Sequence, residues 1–178
     1  MKIISIPLKG GLQHKDSMSN TWIPLITGEV QVMSAGTGIM HAERNNSATD
    51  LLNLFQIWII PEQKGVLPAY NQKIFLPDGR KDTLQVLVNS YRDTDQDVLK
   101  IHQDAQISRI DMTKGNHYNY KLKSSGHGVY IMQISGRSHL NELVLEPRDA
   151  VGIWEADAFS IVADENSQML FIEVPMVF

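Results

Sequence analysis

The stretch MSAGTGIMHAER, Met33 to Arg44, carries the residues best suited to chemistry. His41 and Glu43 lie two apart, and residues i and i+2 of a strand share a face, so a strand here would project both side chains to one side. An imidazole beside a carboxylate suits Fe, Mn, Ni or Zn. Gly36 and Gly38 allow the backbone a tight turn just before the pair. Taken alone, the H-x-E spacing also describes a solvated surface pair or a turn.

The other candidates are weaker. His14, in GGLQHKDS, reads as a loop histidine beside a turn; the sharper alternative is a third ligand or a residue lining the pocket. His102, His117, His127 and His139 have no second ligand at metal spacing and read as surface or structural. Glu155 and Asp157, in GIWEADAFSI, are i, i+2 carboxylates without a histidine, which suits an acidic turn and gives no reason for a metal. Trp58 and Trp154 read as core or pocket-wall aromatics. The GTG has neither a helical pattern after it nor a lysine at phosphate-loop spacing, so it is no nucleotide loop. No serine sits in a recognisable nucleophile context.

The elements that must position His41 and Glu43 are strands. KIISIPL, GEVQVM, LFQIWII, TLQVLVN, GVYIMQI, NELVLE, DAVGIW, AFSIVA and MLFIEVP are short runs rich in β-branched and aromatic residues, punctuated by Gly, Pro, Asn and Asp. No long stretch has helical periodicity. Many short strands at close spacing argue for an all-β sandwich or barrel. The 178 residues are enough to bury a core without staples. There is no cysteine, which excludes disulfides, zinc ribbons and thiol nucleophiles. A net charge of −4 without a basic run gives no reason to expect nucleic acid. No window approaches the ~20 apolar residues of a membrane span, and the opening MKIISIPLKGG is too short for a secretory leader. The expectation is a soluble, cytoplasmic protein with no membrane partner.

A faint repeat runs through the chain. Each half has a strand ending at Gly, a turn and strand, a turn of acidic or small residues, and a closing apolar strand, as two copies of one β-module would. The more polar segment from Pro61 to about Asp97 reads as the connection, with TLQVLVN a strand inside it. The expected division is 1–95, an N-terminal module plus connection, and 96–178, a C-terminal module.

The run VQVMSAGTGIMHAERNNSATDLLNLFQIWIIPEQKGVLPAYNQKIF resembles the pirin family, in particular its bacterial branch described as quercetin 2,3-dioxygenases. The likeness continues through LKIHQDAQISRI and DAVGIWEADAFSIVADENSQMLFIEVP and covers nearly the whole chain. The resemblance implies a bicupin: two jelly-roll-like β-barrel modules in tandem, of which only the N-terminal one binds metal. It implies one divalent transition metal, iron first, held by three histidines and a glutamate. GIMHAE matches the motif of the last two ligands, which places them at His41 and Glu43. The family's first two come from an upstream H-P-H motif that this sequence lacks, so the N-terminal barrel is expected to be incomplete by roughly 60 residues, a count that rests on the resemblance rather than on length.

The expected activity is therefore a metal-dependent quercetin 2,3-dioxygenase, impaired in this chain, with the metal weakly held or absent. Glu43 would ligate and accept the proton of a flavonol-like substrate. The alternatives are a non-catalytic binding or regulatory cupin and a structural remnant. A second subunit, forming a homodimer, could cover the incomplete barrel.

Overall fold

The alternating runs fold as strands whose two faces see different surroundings. The structure is a computed structural model that describes residues 1–176. The strands are β1 (Lys2–Lys9), β2 (Gly11–Asp16), β3 (Ile23–Ile26), β4 (Glu29–Ser34), β5 (His41–Asn45), β6 (Asn53–Ile59), β7 (Ala69–Ile74), β8 (Gln85–Ser90) and β9 (Leu99–Ile101). They continue with β10 (Gln106–Met112), β11 (His117–Lys121), β12 (His127–Ser135), β13 (Ser138–Leu140), β14 (Leu143–Leu145), β15 (Ala150–Trp154), β16 (Ala158–Ala163) and β17 (Ser167–Pro175). Among the described residues the helical content is one short 3₁₀ turn, Pro77–Arg80. Among the described residues no helix is long and apolar enough to cross a membrane.

The chain forms two units that interleave in sequence: Met1–Phe75 with Ser90–Gln103, and Leu76–Asn89 with the chain from Asp104 onward. A single cut after residue 95 does not describe this exchange. Nor is the segment from Pro61 a plain connection, because it supplies β7 to the first unit and most of β8 to the second.

In the first unit β6, β1, β4 and β7 form one antiparallel sheet in that order, and β3, β2 and β5 form another. Its core holds Ile3, Ile4, Leu12, Leu25, Val32 and Met33, all buried. β1 is buried on both faces over Lys2–Pro7, which explains why KIISIPL is a continuous run rather than an alternating one. Gly10 turns β1 into β2 with φ +74°, and a Cβ there would stand 2.8 Å from the Leu51 carbonyl oxygen. Only glycine meets both demands.

In the second unit β15, β12, β17, β10 and β8 lie side by side in that order, and β11, β16, β13 and β14 form the second sheet. Its core includes Ile110, Val129, Ile131, Ile161 and Met169 around Tyr120. The Tyr120 ring lies between Phe159 at 5.2 Å and Phe171 at 5.1 Å, both nearly parallel to it. Two β-modules in tandem, with almost no helix, is the expected cupin architecture.

The tryptophans differ from expectation. Trp58 is 62 % exposed and Trp154 57 % exposed, so neither is a core residue. Each lies on the edge strand of its sheet, β6 and β15, with strand neighbours on one side only.

Candidate metal centre

β2 and β5 pair antiparallel with His14 opposite Glu43 and Asp16 opposite His41. Since alternate residues share a face, this register puts two imidazoles and two carboxylates on one side of the pair. His14 is therefore not a loop residue. It lies on β2 with no exposed surface, between buried Leu12 and buried Asp16. Its signal in the sequence was the alternation Leu12, His14, Asp16, which places an imidazole and a carboxylate in line with a core leucine.

Donor atoms of His14, His41 and Glu43 all lie within 4.8 Å of one another. The His14 and His41 ring centres are 5.6 Å apart. His14 Nε2 lies 3.2 Å from Asp16 Oδ2, and the other oxygen, Oδ1, accepts from the amides of Met18 (2.9 Å) and Ser19 (3.1 Å). With its Nε2–H given to Asp16, neutral His14 keeps a lone pair on Nδ1, which faces Gln31 Nε2 at 3.5 Å. A carboxylate that fixes the tautomer of a ligating imidazole is the usual outer partner of a metal-binding histidine. Nδ1 stands 3.6 Å from Glu43 Oε1, an electrostatic contact too long for a hydrogen bond. Tyr70 stacks on the His14 ring at 5.0 Å, and its hydroxyl donates to Gln72 at 2.7 Å.

Glu43 is held from the other sheet. Gln56 Nε2 donates to its Oε2 at 2.7 Å, and Trp58 Nε1 donates to Gln56 Oε1 at 3.1 Å. Trp58 is thus tied to the site through one intermediary while its ring stays exposed.

The charges keep the carboxylates ionised and pull His14 toward its protonated form, so an incoming cation competes with a proton for its Nδ1. His14 beside it holds Glu43 below the usual carboxylate range, with burial opposing and His41 assisting. Burial alone would lower His14, but Glu43 and Asp16 outweigh it and raise its pKa. Burial likewise opposes the ionised form of Asp16, and the Ser19 and Met18 amides reverse this and lower its pKa. Tyr70 is pushed up, first by burial and then by nearby carboxylates, so it stays a phenol.

Do these residues fit a metal? Two imidazoles and one carboxylate are the donor set of open, three-ligand transition-metal sites. Glu43 Oε1, nearest to His14, is buried without a hydrogen-bond partner, as is Oε1 of Gln31, whose Nε2 contacts His14. An orphaned carboxylate oxygen beside an imidazole nitrogen whose contact to Gln31 Nε2 is long, 3.5 Å, is a costly arrangement that a cation would relieve. The residues fit. A cavity of about 300 Å³ lined by Asp16, Met40 and His41, among others, lies against this cluster.

The pirin family model matches residues 1–59, which contain all three donors, and the model for the quercetinase C-terminal cupin domain matches residues 87–174. The chain is 37 % identical over 178 residues to the quercetin 2,3-dioxygenase of Escherichia coli K12, covering 99 % of this chain and 74 % of that protein. The chain belongs to the pirin family. It is also 32 % identical over 173 residues to a pirin-like protein of Caulobacter vibrioides, covering 97 % of this chain and 73 % of that one. Among solved structures it resembles the Escherichia coli pirin YhhW in complex with nickel(II), with 34 % identity and a TM-score of 0.89 over 99 % of this chain and 73 % of that one.

Within this pirin fold three of the four remaining histidines have other partners, and His117 is exposed at the start of β11. His127 is buried between Glu173 (2.9 Å) and Asp104 (3.4 Å), and His139 lies 2.9 Å from Asp164. His102 contacts Lys2 at 2.9 Å. Glu155 sits just after β15 with φ +56°, a turn position. Among the described residues the cluster of His14, His41 and Glu43 is the group of three that could hold an ion.

Proposed function

We propose that this pirin-like cupin binds one divalent transition metal through His14, His41 and Glu43 and uses it to open flavonols of the quercetin type. The observation that carries the reading is the convergence of three donors within 4.8 Å from strands separated by a long stretch of chain. The dioxygenase names of its relatives and the nickel in a related structure support it. When bound, the ion would supply Lewis-acid polarisation of substrate oxygens.

The chain's own residues do the rest. Asp16 orients His14. Gln56 fixes Glu43 through Oε2 and leaves Oε1 without a hydrogen-bond partner. A carboxylate kept ionised at neutral pH, with one oxygen free, can accept the proton of a flavonol hydroxyl. Tyr70, held as a phenol, adds no competing negative charge. Met40, 79 % exposed, offers an apolar wall to a flat aromatic ligand.

Three protein donors leave more of the coordination sphere to solvent than a four-ligand cage does, and affinity falls accordingly. A metal that is exchangeable and an activity weaker than that of a full cage follow from this. The test is metal uptake by elemental mass spectrometry after loading with Fe(II) or Ni(II) under argon, then quercetin consumption in air. The expected result is near-stoichiometric metal and measurable turnover, both lost in His41→Ala, with Glu43→Gln losing turnover more than metal. Absence of uptake with either ion overturns the reading.

A further inference from the structure

The first unit holds a second polar centre on different residues. Lys2 is 2 % exposed, yet no carboxylate is its partner. Its ammonium lies 2.7 Å from Ser34 Oγ on the neighbouring strand and 2.9 Å from His102 Nδ1. An ammonium has three donors, and the structure gives this one two acceptors, both neutral. Glu62, whose charge reaches His102, donates its amide to the His102 carbonyl, and its carboxylate is taken by Arg92 Nη2 at 2.7 Å. Burial depresses the Lys2 pKa, and burial followed by the Lys2 charge depresses that of His102, so the imidazole is neutral and accepts. A buried cation without a counter-ion is expensive, and proteins keep one where an anion comes to it.

A cavity of about 230 Å³ adjoins this centre. Ser34 forms part of its wall, and Met1, Ile60, Pro61 and Val66 supply apolar sides. Lys64 and Gln63 add polar groups, and no acidic residue lines it. Gly36, with φ +53°, lets the chain at Val66–Pro68 close directly over it. The Ser34 hydroxyl accepts from Lys2, so its own proton is free to donate elsewhere.

We infer that this cavity binds a small monocarboxylate, its head on the Ser34 hydroxyl with the Lys2 charge behind it, and its short apolar tail against Ile60 and Val66. The volume suits a few carbons rather than a drug-sized ligand. The site shares no residue with the metal cluster and does not depend on it.

The experiment is calorimetric titration of the full chain with butyrate and with butyramide, the neutral isostere, at constant chloride. Wild type is expected to bind butyrate in the millimolar range and at least about tenfold tighter than the amide, a margin of ~1.4 kcal/mol. Lys2→Met, which keeps length and apolar volume, loses that preference, and so does Ser34→Ala, whose smaller change guards against misfolding. Circular dichroism shows whether each variant is folded, and metal uptake gives a readout that neither change should move. Equal binding of acid and amide, preference retained in both variants, or no binding of butyrate by wild type each overturns the inference.

Discussion

The interiors of the two units answer the same problem, a polar group on a buried strand, in opposite ways. In the second unit Glu173 is fully buried and saturated. It accepts from the Tyr120 hydroxyl at 2.6 Å and the Lys123 amide at 2.8 Å, and it contacts His127 Nδ1 at 2.9 Å. Stacked aromatics close over that cluster. In the first unit His14 and Gln31 come equally deep and Glu43 is half-buried beside them, yet Glu43 Oε1 and Gln31 Oε1 are left without partners. A saturated buried network fixes structure and has nothing left to offer a ligand. An unsaturated one costs stability and keeps lone pairs available. The same module thus serves as scaffold in one copy and as candidate site in the other.

The largest effect that would sharpen this contrast is on metal affinity. His14→Ala or His41→Ala removes a ligand, and the dissociation constant measured by competition with a chelator should rise by more than the ~10–100-fold typical of losing an outer-shell partner. Glu155→Ala should leave it unchanged. A His14→Ala protein that binds as tightly as wild type would break the comparison, since His14 is what the first interior has beyond the sequence pair.

Next comes the saturated side. Glu173→Ala takes the acceptor from the Tyr120 hydroxyl and the Lys123 amide and leaves His127 with Asp104, and chemical denaturation should show a loss of ~3–5 kcal/mol. Gln31→Leu, which removes an unsatisfied group from the other interior, should cost far less or be neutral by the same measurement. Equal losses would mean that the two interiors do not differ in kind.

A smaller change is expected from Gln56→Ala. It removes the side-chain hydrogen bond that Glu43 accepts at Oε2 and should weaken metal binding by ~10–100-fold while leaving three donors in place. The smallest concerns acid stability. The Thr113 amide and hydroxyl hold the Asp82 carboxyl below its ordinary range. A folded pKa below the unfolded one stabilises above the unfolded value and is lost as pH falls through the folded one. Denaturation between about pH 5 and 2 should therefore show a shallower acid limb in Asp82→Asn.

Much of the scaffold was legible. KIISIPL, GEVQVM, LFQIWII and GVYIMQI are β1, β4, β6 and β12, because β-branched runs between turn residues leave few alternatives. Short strands with weak alternation, such as Ala69–Ile74 and His117–Lys121, were not, because nearly all of their residues keep some contact with water. The outward Trp58 was misjudged for a related reason: in QIWII apolar residues occupy both parities, so the run does not say which face is covered or that the strand lies at an edge.

The sequence by itself determined the strand-rich class through local composition, while the tandem modules and the pairing of His41 with Glu43 rested on a faint repeat and a spacing of two that only the pirin resemblance made specific. Tertiary structure decided that His14 joins them, that Asp16 and Gln56 hold them, and that Lys2 is buried without a counter-ion. Each of these depends on the register between strands distant in the chain. A slip of one residue would turn every side chain of β2 to the other face, and no local pattern fixes that choice.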